Sequence, residues 1–361
     1  MRALDYSALE QPSPSVGWKE ALNQQLYSGY AAFAAIFGIA LVMSGFMMVI
    51  RQDFSIAVIN LLFGLGVIAV PLWRAKKQAA HNAQLLLFAA ANGIEFLSRQ
   101  KAPMYAGIFF QAGHSREIQA ALRIPEVGEV GNYHYETGSG KNRATHEIGY
   151  IRFTLTRRVP HMLLDAKANN VFGLSNMPFA LEKSQKLELE GDFGTYFTLY
   201  APKGYERDAL YIWTPDVMAS AVDEAAVWDV ECVDDEVYMY SSSTFHLADP
   251  AALRSMLGRI ERLQHQLEAQ ADYYKDAAVP SRAANIVAQG GARLKTKRPW
   301  VVAAIFASLV AVQFFATFVA PLTADPIKGV QAGAFTFIIA SSLLPILLLV
   351  IVFLKLRRKK K

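Results

Sequence analysis

The chain has one cysteine, Cys232, in 361 residues. A single thiol excludes an internal disulfide framework and suits a reducing compartment. Charge is missing over long distances. The runs 30–50, 54–73, 300–321 and 332–354 hold no Asp, Glu, Lys, Arg or His between their ends. Transporters, proton relays and channels place ionisable groups at membrane depth, so this absence argues against those functions. Asn60 and Gln313 are the notable polar side chains in these runs, and they suit hydrogen bonds between helices. The nucleophile elbow G-x-S-x-G does not occur. Residues 1–26 lack a basic start running into an apolar core, so a cleaved signal peptide is not expected.

What is present is apolar. Hydrophobic residues make up 53% of the chain, with a mean hydropathy of +0.20, unusual for a soluble protein. Each of the four runs is long enough to span a bilayer. Arg74, Lys76 and Lys77 follow the second, Arg293, Lys295, Lys297 and Arg298 precede the third, and Lys355, Arg357, Arg358 and Lys359 to Lys361 follow the fourth. The connections at 51–53 and 322–331 carry one basic residue each. The positive-inside rule then puts both termini and the middle region in the cytoplasm, and a multi-pass bacterial inner-membrane protein is expected.

The net charge of +5 belongs to the tail. Residues 74–298 hold 26 basic and 26 acidic residues, which gives no nucleic-acid-binding face. Within them the signs segregate. Residues 139–167 hold six bases and two acids, and residues 181–236 hold four bases and fourteen acids. Such a split guides packing between sub-elements, or shows a basic face to lipid and an acidic face to a partner.

The middle region reads as α+β. Residues 75–100 predict a helix with Leu87, Ala91, Ile94 and Leu97 on one face, ended by Pro103. Residues 104–127 predict little regular structure, with Tyr105, Phe109 and Phe110 buried. Residues 129–136 and 146–159 predict strands, with another at 162–165. Leu187, Leu189, Phe193, Tyr196, Phe197, Leu199 and Tyr200 predict strand broken by a turn at Gly191-Asp192. Thr214-Pro215 marks a helix start, with Val217, Met218, Ala221, Val222 and Ala225 on its apolar face. Residues 227–233 and 236–241 predict a hairpin turning at Asp234-Asp235. Asp249-Pro250 opens a long helix whose Leu253, Leu257, Ile260, Gln264, Leu267, Ala271 and Tyr274 form a heptad seam. That seam is expected to pack on the 75–100 helix as a stalk, or to join two copies of the chain. Residues 280–291 read as a linker.

The stretch EGDFGTYFTLYAP, then DALYIWTPDVMASAVDEA and VYMY, resembles a bacterial domain-of-unknown-function family of membrane proteins. Its features are an aromatic "F…F.VY" strand and an "LTP" helix start. The resemblance covers residues 137–240. It implies membrane anchoring and no known activity, so it assigns no catalytic residue.

Motifs that carry chemistry fail on inspection. Gly138-Ser139-Gly140-Lys141 lacks the other P-loop positions, which are Tyr135 and Asn142, and reads as a turn. His146-Glu147 would need a histidine at Tyr150 to bind zinc, and His134, His146 and His161 have no metal-ligand spacing. Asp234, Asp235 and Glu236 lack the alternation of a calcium loop. No catalytic residue, cofactor or metal is therefore expected, and catalysis is not. The expectation is an α+β protein with four transmembrane helices in two hairpins. These are 27–73 and 299–354, between a polar lead-in (1–26) and a basic tail (355–361). They flank a cytoplasmic β-rich domain (74–298) with a helical stalk (75–100 and 250–276). Its expected role is a membrane-anchored scaffold or interaction module. The expected protein-partner surface is Asp234, Asp235 and Glu236. Lys141, Arg143, Arg152, Arg157 and Arg158 are the candidate anion or lipid contacts, the alternatives being peripheral sensing of anionic lipid by the cytoplasmic domain or an unrecognised membrane-bound enzyme.

Overall fold

The computed structural model describes residues 3–19, 21, 29–52, 54–170, 175–189, 192–279 and 285–296. It forms two units, 1–295 and 296–361, and the described residues fall almost wholly in the first.

A short helix α1 (Ser7–Glu10) precedes two long ones, α2 (Gly29–Ile50) and α3 (Phe54–Asn92). α2 and α3 pack on each other through glycines. A Cβ at Gly64 would lie 2.9 Å from the Gly38 carbonyl oxygen and 3.0 Å from Leu41 Cβ, so only glycine allows this approach. Asn60 donates to Ser44 Oγ at 3.3 Å across the same contact, the interhelical role its sequence position suggested. Gln313 lies outside the described residues.

The expected four transmembrane helices in two hairpins are corrected here. Among the described residues one helix, α3, is long and apolar enough to cross a membrane. In α2 the apolar helical stretch is the shorter Ala35–Ile50. Runs 300–321 and 332–354 and the tail lie outside the described residues. Across the expected boundary after residue 73, α3 continues unbroken for 39 residues, about 58 Å at 1.5 Å per residue. Its first half shows apolar side chains outward, as at Ile59 and Leu62. Its second half buries Ala75, Ala79, Leu85, Phe88 and Ala89. This is a different face from the predicted one, and Leu87 is exposed. Buried Gln84 donates to the carbonyls of Leu9 and Gln11 at 3.0 and 2.9 Å, which straps the N-terminal segment to the helix.

The remaining described residues form an antiparallel sheet of seven strands with helices on one face. The strands are β1 (Glu95–Lys101), β2 (His114–Ile124), β3 (Gly128–Thr137), β4 (Ala144–Ala166), β5 (Lys186–Leu187), β6 (Phe197–Tyr200) and β7 (Asp229–Ser241). The order is β1-β2-β3-β4-β6-β5, with β7 on β4. β4 absorbs both predicted strands, 146–159 and 162–165. It passes through an irregular stretch between Thr154 and Met162, where its register against β7 shifts. β2 occupies a segment expected to be irregular. Left-handed Ser115 and Ala120 coincide with two register shifts that hide its alternation. The predicted hairpin at Asp234-Asp235 is one continuous strand, β7. Asp234 at φ +56° accommodates a bulge rather than a reversal.

Four further helices are α4 (Phe193–Tyr196), α5 (Glu206–Ile212), α6 (Pro215–Ala225) and α7 (Pro250–Ala271). α4 breaks the predicted aromatic strand. α6 starts as read, with Thr214 Oγ1 accepting from Val217 N–H and Pro215 in the first turn. Asp249 caps α7 by accepting from the N–H groups of Ala251 and Ala252. The heptad seam of α7 packs against α6 and β4 rather than forming a stalk with the second half of α3. Leu253, Leu257, Ile260 and Leu267 are buried within one chain, in the core beneath this face of the sheet. Trp213 and Cys232 lie in the same core.

Replacing Leu257 by alanine is expected to destabilise the protein by about 2–5 kcal/mol through the cavity it leaves. The same change at exposed Leu86 is expected to stay within about 0.5 kcal/mol. Chemical denaturation of both variants checks this.

Candidate functional site

The opposite face of β4 and β7 carries the unusual chemistry. Successive residues on one sheet face alternate, so His161, Leu163 and Asp165 of β4 share a face with Asp229, Glu231 and Val233 of β7. A 3-10 turn, Ile108–Gln111, covers this face with Phe109 and Phe110. Tyr133, Tyr135, Tyr150, Tyr238 and Tyr240 complete an aromatic layer, in which Phe110 meets the Tyr150 ring edge-on at 5.1 Å.

Buried carboxylates sit inside this layer and are held by donors. Glu129, 2% exposed, accepts from Tyr105 Oη at 2.9 Å, from Arg123 Nε at 2.6 Å and from Tyr150 Oη. Glu231, fully buried, accepts from Ile108 N–H at 2.8 Å, Tyr240 Oη at 2.6 Å and His161 Nε2 at 2.7 Å. Leu294 N–H donates to His161 Nδ1 at 3.1 Å, so Nε2 carries the ring proton given to Glu231. Burial, and then the neighbouring carboxylate, push the Tyr150 and Tyr240 hydroxyls well above their ordinary range. Burial likewise raises the Cys232 thiol, which faces the other core. These groups are fixed donors and acceptors, and none pairs a free nucleophile with a base.

One corner is less well satisfied. Asp229 accepts from Ala166 N–H at 2.8 Å, and from Asn169 and Asn176 side-chain amides at 2.8 and 3.0 Å. Burial raises its carboxyl to about 7 in spite of these donors, with the charge of nearby Asp165 adding to the rise. Asp165 is raised too, mainly by burial.

The predicted site residues scatter, and the two candidate surfaces partly neutralise each other. β4 and β7 are neighbours, and Arg152 pairs with Glu236, its Nε donating at 2.8 Å, while its guanidinium lies 4.5 Å from the Tyr105 ring centre. Arg143 pairs with Glu136. Asp234 pairs with Arg293 at 2.9 Å. Asp235 is half-buried, Arg157 half-buried and Arg158 exposed. The Lys141 side chain lies outside the described residues. The sequence reading missed Glu129, Glu231, Asp229 and Asp165. Their signal was an acid alternating with apolar residues inside strands, visible in Asp229-Val230-Glu231-Cys232.

Comparison with family models, with curated proteins and with solved structures finds no match for the chain. The resemblance of residues 137–240 therefore rests on its quoted motifs.

Two outcomes follow from this geometry. Tyr150→Phe is expected to cost about 1–3 kcal/mol by leaving Glu129 short of a donor, and Glu129→Gln more, measured by denaturant unfolding. Folded Asp229 keeps its proton up to about pH 7, whereas the unfolded chain loses it near 3.8. Its contribution therefore weakens the fold progressively as pH rises between those values. Asp229→Asn is expected to flatten the stability profile between about pH 4 and pH 7, read as the difference between variant and parent melting curves.

Proposed function

We propose that the chain is a membrane-attached interaction module without catalysis of its own. The apolar half of α3, with α2 along it, seats in a bilayer, and the sheet domain binds a protein partner at the cytoplasmic surface. The supporting observation is the continuity of α3. One uninterrupted helix shows apolar residues outward over one half and buries the other half in the sheet domain. Water-exposed apolar surface of that extent marks a lipid or protein contact. Trp73, Arg74, Lys76 and Lys77 sit at the changeover, with Lys77 5.5 Å from the Trp73 ring centre and Lys76 4.8 Å from that of Trp18. Cations beside an apolar helix and an aromatic residue at its end are the pattern of a cytoplasmic interface.

For the partner surface, Asp234 and Glu236 are engaged by Arg293 and Arg152. Exposed Asp216 and Asp223 on α6, with half-buried Asp235, are among the acids of residues 181–236 left at the surface, as are Glu188, Asp192 and Glu206. Contact with anionic headgroups falls to Arg157 and Arg158, which form no ion pair among the described residues.

The full-length protein is expected to resist alkaline extraction from its native membrane, and the double variant Ile59→Arg, Leu62→Arg to lose that resistance. Release of the parent protein at high pH would remove the membrane part. Purification in mild detergent, read by mass spectrometry, is expected to retain a stoichiometric partner that Asp216→Lys with Asp223→Lys releases. Recovery of the protein alone would count against the interaction part.

A further inference from the structure

The corner where β4 ends and β7 begins holds more oxygen than its hydrogen bonds use. The register pairs Leu163 with Glu231 and Leu164 with Val230. One step further along the same ladder, Asp165 stands opposite Asp229, and residues opposite each other share a face. The two carboxylates are 3% and 0% exposed. Asp229 feels the charge of Asp165, so the two are close enough to repel. Ser175 and Asn170 bond to the Asp165 carboxylate, Lys167 is the cation whose field reaches it, and the Lys167 Nζ is given to the Gly194 carbonyl.

Three buried oxygens here have no hydrogen-bond partner among the described residues: Asp165 Oδ1, Asn169 Oδ1 and Asn176 Oδ1. All are acceptors, and they come from the two amides bound to Asp229 and from the carboxylate facing it. An unmatched buried acceptor calls for a donor or a positive ion. Internal water would supply donors to these oxygens. A cation would match all three acceptors and also balance the carboxylate charge.

We propose that Asp165, Asp229, Asn169 and Asn176 form a binding site for a hard divalent cation of the calcium type. Every donor is oxygen, which excludes the sulfur- and imidazole-seeking metals. Carboxylates mixed with amide oxygens suit calcium better than magnesium, which keeps several waters. A half-turn of either amide about its last torsion exchanges NH2 for oxygen, so the groups that now donate to Asp229 can also face the ion. Bidentate carboxylates or one or two waters complete the shell. No group of three or more His, Cys, Asp or Glu converges as metal ligands among the described residues, and this site differs because half its donors are amides.

Terbium titrated into chelator-treated, full-length protein in detergent tests this, with tyrosine excitation. Tyr200 lies close enough to Asp165 to feel its charge and serves as the antenna. Saturable emission displaced by calcium is expected, with a rise in melting temperature in about 1 mM calcium. Asp165→Asn is expected to weaken terbium binding roughly tenfold or more. Asn176→Ala, at a half-exposed position, is expected to weaken it with the circular dichroism spectrum unchanged, and it carries the test alone if Asp165→Asn does not fold. Absence of saturable emission from the parent protein, or equal affinity in the folded variants, would overturn the proposal and leave internal water as the occupant.

Discussion

Glu231 is a charge with no access to solvent, and the protein tolerates it by bringing three donors from three places. Ile108 N–H comes from the turn that covers the sheet, Tyr240 Oη from further along the same strand, and His161 Nε2 from the neighbouring strand. Losing any of them would leave a buried carboxylate short of partners, at a cost of a few kcal/mol. The fold on this face is therefore pinned by what one carboxylate requires. The requirement propagates, because His161 can give its Nε2 proton to Glu231 only while Nδ1 accepts from Leu294 N–H. That bond fixes the segment 285–295 against the sheet. Asp276 anchors the start of the same segment by accepting from Tyr205 Oη and from Ala288 N–H, at 3.0 and 2.8 Å.

The two faces of the sheet are stabilised by different physics. One buries aliphatic side chains of α3, α6 and α7, where shape decides the cost of a change. The other interleaves rings with acids, where each group has a direction and a partner. A substitution on the first face leaves a void, whereas one on the second leaves an unmatched charge. β4 takes part in both. Its 23 residues alternate between the two environments, and Met162 and Leu164 face one core while His161 and Asp165 face the other.

Much of the helical architecture was legible in the sequence, because caps are local. Thr214-Pro215 and Asp249-Pro250 marked two helix starts correctly. The apolar periodicity of α7 also showed which side is buried. It did not show against what, since a heptad seam reads the same whether it faces another helix or a sheet. Strands were legible where aromatic and branched residues are dense, as in β3, even though its alternation is imperfect. They were lost where a bulge shifts the parity, as at Ser115, Ala120 and Asp234. The acidic site escaped for a deeper reason. Asp165 and Asp229 are 64 positions apart, and only the β4–β7 register makes them neighbours. The same pairing explains the segregated charges, which meet across adjacent strands as Arg152 and Glu236.

The unbroken run of α3 makes angular position a property of chain length. Each residue in a helix adds 1.5 Å and about 100° of rotation. A single insertion near Pro71, between the two halves, would turn the sheet domain by about a quarter of a circle relative to the α2–α3 pair. An insertion of seven residues would nearly restore its heading, about 10 Å further out. Homologues of this chain should therefore vary in the length of α3 by steps near seven or eleven, or keep it constant, while loops such as the one after β3 vary freely.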